Sequence, residues 1–235
     1  MTNKDISSPA TEKNLEVSDA RESQEFLAQQ MTDLTKKLED VTEEGSIKRA
    51  DVLLNLANSE LGLNKMQECW SHAKQAFEIY IQHQSWEEAV EACDLMYQTE
   101  LPSAISALGH GVWLAVTFPV STQHTINILS NIINETPDNS DGAALAAIVA
   151  HYVVDIRCEG KQKKDLQFIT LNMLAKVAKR HSHVETQTGL DVWMDKLELR
   201  NPEVFFPRFS LVLGAIVGDD SWWFDRDKLR ATIPE

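Results

Sequence analysis

The chain has 235 residues and a formal net charge of -14 at pH 7, so a nucleic-acid backbone or an anionic membrane face repels it on average, and nucleic acid is excluded as a general partner. At this length a single domain can bury roughly 70% of its unfolded surface, which makes a disulfide or metal staple unnecessary. The three cysteines, Cys69, Cys93 and Cys158, lie in apolar helical patterns without a C-x-x-C pair, as expected of small core residues kept reduced in a cytosol. No apolar run approaches the roughly 20 residues that a membrane crossing needs, and the acidic start resembles no leader peptide, so the expectation is a soluble, cytoplasmic protein without a transmembrane segment.

Residues 1–22 are polar and acid-rich with few large apolar side chains, the composition of a disordered tail. A heptad-bearing helix is expected over 23–45, where Leu27, Met31, Leu34, Leu38 and Val41 recur in alternating steps of four and three and form a helix-pairing seam. The seam fits a helix lying on its own domain; self-association or another protein's helix are the alternatives. Residues 46–235 read as one α-helical domain. Ala50, Leu53, Leu54, Ala57 and Leu61 line a helix from Ile47, with Gly62 at the place of a left-handed C-terminal residue. Further helices are expected around Met66–Ile81, Trp86–Tyr97, Pro102–Phe118 and Thr122–Ile133. Others follow from Asn139 or Ser140 to about Cys158, over Lys163–Arg180, and around Val192–Leu199.

The aromatic C-terminal segment, about 201–235, begins after a break at Asn201-Pro202. Its run Phe209–Val217 fits a buried helix and also permits a strand. GDDSWWFDRDKLR, from Gly218 to Arg230, offers Asp219, Asp220 or Ser221 as N-caps for a short helix from about Trp222 to Ala231. On such a helix Trp222, Trp223 and Phe224 sweep about 200° and cannot all face one core. Trp222 then points inward. Trp223, Phe224 and Arg226 join it as a candidate partner-binding group, because Trp and Arg dominate protein interfaces; the bland alternative wedges the rings between helices of the same chain.

Leu53, Leu56, Ala57 and Glu60 share their spacing with Trp86, Ala89, Val90 and Cys93. Together with Ala73 and Phe77 at an A-x-x-x-F step, this resembles tetratricopeptide-like helical repeats over about residues 47–97. The resemblance implies a stack of antiparallel helix pairs with a protein-binding groove. The expected fold class is all-α, either α-solenoid-like or an irregular helical bundle.

Chemistry-bearing patterns are sparse. Glu68 and His72 at i, i+4 face a helix with Glu87, Glu88, Glu91 and Asp94, but no Glu-x-x-His step of a carboxylate metal site occurs, and the set reads as a solvated acidic face. Lys176, Lys179, Arg180, His181 and His183 form a basic cluster able to receive an acidic ligand or to complement a helix C-terminus. Neither a phosphate loop nor a nucleophile elbow occurs. No cofactor, metal or catalytic residue is assigned. The expected function is a non-catalytic adaptor, assembly factor or chaperone-like subunit that binds another protein; the rival is a helical enzyme or ligand-binding protein with a pocket inside the bundle.

Overall fold

The computed structural model describes residues 9–218 and 222–233, with side chains from Ser23 onward. The described residues form helices and no strand, which makes the fold all-α. In chain order these are α1 (Pro9–Asp40), α2 (Ile47–Gly62), α3 (Met66–His83), α4 (Trp86–Gln98), α5 (Ala104–Thr117) and α6 (Thr122–Glu135). They are followed by α7 (Asp141–Arg157), α8 (Gly160–Ser182), α9 (Gln187–Lys196), α10 (Pro202–Val217) and α11 (Arg226–Arg230). α1 thus begins inside the segment read as a disordered tail, and residues 1–8 lie outside the described residues.

From α1 to α8 each helix packs on its predecessor. Short turns make the pairs antiparallel: the Tyr80 hydroxyl, late in α3, donates to Asp51, early in α2, over 2.9 Å. Side-chain caps set several starts, as the Ser46, Ser121, Ser140 and Asn201 side-chain oxygens accept backbone N–H groups of the helices they precede. α5 and α7 are buried nearly all round, the property of helices enclosed by others. The cause is α10, which leaves chain order and lies across both.

The heptad seam is spent within the chain. Leu34 and Val41 are buried and Leu38 packs on the core, while Leu27 sits so close to Gly62 that a Cβ there would lie 2.7 Å from its Cδ1. Gly62 is therefore a point of helix contact, and the left-handed residue after α2 is Asn64, with φ of 58°, where the sequence pointed to Gly62. Self-association through Leu27, Met31, Leu34, Leu38 and Val41 would first have to displace α2.

Arginines finish several helices. A helix C-terminus leaves four carbonyls without intrahelical donors, and a guanidinium can serve more than one of them. Arg49 donates to Leu38 and Val41 at the end of α1. Arg157 donates to Ala115 over 2.9 Å, Val116 over 2.8 Å and Val120 over 3.1 Å, closing α5. Arg180 donates to Ile133 and Thr136 at the end of α6.

Candidate interaction surfaces

The C-terminal segment lies back over the stack, across α3 and α5. The stretch from Trp222 to Phe224 is not helical; the short helix starts only after Asp225, whose carboxylate accepts the N–H groups of Asp227 and Lys228. That corrects the expected helix from Trp222. Its proposed caps Asp219, Asp220 and Ser221 lie outside the described residues. Freed from the 100° step of a helix, all three rings reach the stack.

Trp223 stacks on His110 with ring centroids 4.0 Å apart and meets Phe77 and Trp70 edge-on. Trp222 packs against His110 and Trp113, and Phe224 against Phe77 and Trp113. His110 is wholly buried. Its Nδ1–H donates to the Ser106 carbonyl over 2.7 Å, which leaves Nε2 to accept the Trp223 backbone N–H over 3.1 Å. Cations cover the outer faces of the rings: Lys74 Nζ lies 4.4 Å from the Trp223 centroid and the Arg226 guanidinium 4.5 Å from that of Trp222. The segment Trp222, Trp223, Phe224, Arg226 is thus engaged with its own chain, and does not stand free as an anchor. The Nε1–H of Trp113 beneath it is buried without an acceptor.

The basic cluster divides. Arg180 turns inward to α6, with Asp138 at 3.2 Å from Nε in an ion pair that lacks hydrogen-bond alignment. His181 Nε2 lies 3.2 Å from Asp141, and its Nδ1 accepts the Trp193 Nε1–H, tying α9 to α7 and α8. His183 is the left-handed residue that ends α8. Lys176 and Lys179 line a cleft of about 400 Å³ with Asn172, Ala175, Val184 and Leu190, and Lys176 and Arg180 line another of about 340 Å³ with Ile133 and Met173. Of the five residues read as one acidic-ligand patch, Arg180 and His181 are therefore engaged with α6, α7 and α9, while Lys176 and Lys179 face solvent.

Beside the first cleft lies a surface the sequence reading missed. α8 buries Leu166, Thr170, Leu174, Val177 and Ala178, and its opposite face carries Phe168, 71% exposed, and Leu171, 47% exposed. The signal was present as a second apolar set on α8, out of phase with the first. Only the packing reveals which set is covered.

Catalytic geometry is thin. Glu87 on α4 accepts the Ser121 N–H over 2.6 Å, the Ser121 hydroxyl over 2.8 Å, and contacts His124 Nδ1 at 3.0 Å. The hydroxyl donates to the carboxylate and not to the imidazole, whose Nδ1 faces the same carboxylate, so Ser121 and His124 do not form a hydroxyl–imidazole pair. Burial pushes this carboxyl up, yet the hydrogen bonds from Ser121 and the neighbouring His124 outweigh it and hold its pKa below the usual range. His72, which the sequence set beside Glu68, pairs with Glu60 at 2.8 Å. Among the described residues no three His, Cys, Asp or Glu side chains are grouped to hold a metal ion, and no helix is long and apolar enough to cross a membrane. The thiols of Cys69 and Cys93 are pushed up by burial, that of Cys69 to about 12. Compared with known proteins, the chain matches no family model, no curated protein and no solved structure.

Proposed function

We propose that this protein is a non-catalytic adaptor or assembly factor, a solenoid-like stack of the tetratricopeptide-like kind that holds another protein in the cytoplasm. One observation carries the reading: the outer face of α8, at the end of the run of helices from α1 that pack each on its predecessor, is left uncovered. Helical stacks need polar terminal faces to stay soluble. At one end α1 covers α2 and turns the polar residues Gln29, Thr32 and Asp33 outward, with Phe26 as the single large apolar side chain exposed among them. At the other, α8 leaves Phe168, Ile169 and Leu171 together in solvent, and clustered exposed apolar residues mark contact sites where a single one does not. The buried, reduced Cys69, Cys93 and Cys158 fit a reducing compartment.

Photo-crosslinking in the native cell tests this. A benzophenone amino acid in place of Phe168 should give a discrete adduct with another protein, whereas the same group at Thr32, an exposed polar position on α1, should not. Adducts of equal yield from both positions, or none from Phe168, would refute the adaptor reading.

A further inference from the structure

The exposed face of α8 is framed by charge as well as being apolar, and the frame identifies its occupant. Within α8 the cations Lys161, Lys163, Lys164, Lys176, Lys179 and Arg180 stand against the one acid Asp165, a net of +5 on a chain of net charge -14. Lys163 and Arg180 are engaged with Asp155 on α7 and with the end of α6. Lys161, Lys164, Lys176 and Lys179 are exposed. Steps of three and four place Lys161, Lys164, Phe168, Leu171, Ala175 and Lys179 along one face, opposite the buried one. Lysines stand at both ends of this stripe and apolar side chains lie between them. It is about 27 Å long, the length of about 18 helical residues.

We propose that this face docks an acidic amphipathic α-helix of another protein, with apolar residues at its centre and Asp or Glu toward both ends. The inference rests on the adaptor reading and names its partner's chemistry. Pairing α8 with the same face of a second copy, parallel or antiparallel, would set lysine against lysine, which is unfavourable. An anionic membrane would attract the stripe but be repelled by the acidic remainder of the chain. The surface already accepts a carboxylate of its own, since Lys179 pairs with Glu185 at 3.0 Å. That pair is exposed on both sides and exchanges readily.

The test uses the full chain and two synthetic 18-residue helical peptides with the same Leu/Phe stripe, one flanked by Glu and one by Lys. By fluorescence anisotropy the Glu-flanked peptide should bind at least about tenfold more tightly, and the preference should shrink on raising salt from about 50 mM to about 500 mM. Reversing the frame with Lys161→Glu, Lys164→Glu, Lys176→Glu and Lys179→Glu should transfer the preference to the Lys-flanked peptide. Phe168→Asp should abolish binding of both, and circular dichroism should show every variant folded, because the altered side chains are exposed. Equal binding of the two peptides, binding of neither, or an unchanged preference in the charge-reversed protein would overturn the proposal. So would uptake of the protein by phosphatidylserine vesicles in place of the peptide. If Phe168 crosslinks to a protein in the cell while the peptides show no acidic preference, the adaptor reading stands and this inference alone falls.

Discussion

The backbone N–H of Trp223 donates to Nε2 of His110 over 3.1 Å while the two rings stack at 4.0 Å, joining residues separated by most of the chain's second half. This contact pins the C-terminal segment to α5. Trp223→Ala should therefore lower the unfolding free energy by about 2 kcal/mol, less than a full core truncation because the ring is only half-buried. Trp223→Phe should recover much of it by retaining a ring on His110. Urea unfolding of the three proteins decides; an unchanged midpoint in Trp223→Ala would mean that the contact adds nothing to stability.

Arg157 gives a second expectation. Three carbonyls at and just beyond the end of α5 share one guanidinium, so Arg157→Met should cost about 2 kcal/mol through groups left unpaired. Lysine should rescue little, since a single ammonium does not reproduce the planar fork. Thermal unfolding of both variants measures this.

Gly109 and Gly111 flank His110 for steric reasons. A Cβ on Gly109 would lie 2.5 Å from Val217 Cγ2 on α10, and one on Gly111 would lie 2.7 Å from Cys93 Cβ on α4. Gly109→Ala should destabilise by about 1–3 kcal/mol, and adding Val217→Ala should return part of the loss. Gly45→Ala, with nothing within 4 Å, serves as the neutral control in the same unfolding series.

The depressed pKa of Glu87 makes a pH prediction. A carboxyl held lower in the folded than in the unfolded state adds stability above its unfolded pKa, and that stability disappears as pH falls through the folded value. Glu87→Gln should flatten the acid limb of a stability-against-pH curve. The effect at neutral pH should stay at or below about 1 kcal/mol, because the side chain is 42% exposed and screened.

Buried and pushed to high pKa, Cys69 and Cys93 should resist a thiol reagent at pH 8 in the native protein and react fully in denaturant. Rapid labelling of the native state would show that the stack opens locally around α3 and α4.

The sequence by itself determined the all-α class and most helices. Apolar residues recurring every three to four positions mark the faces that must be buried, and local signals such as Ser140 before α7 or Asn201-Pro202 before α10 act within a single turn. Helix polarity and length are short-range properties, so they can be read from neighbours in the chain.

Only the tertiary structure decided which apolar face is covered and which cation is free. α10 shields α5 and α7 out of chain order, leaving the outer side of α8 bare. Arg180 and His181 are drawn to α6, α7 and α9, while Lys176 and Lys179 remain in solvent. Trp222, Trp223 and Phe224 reach one surface because their backbone is not helical. Each of these outcomes depends on groups far apart in sequence competing for the same space or the same hydrogen-bond partner, and periodicity within one helix carries no record of that competition.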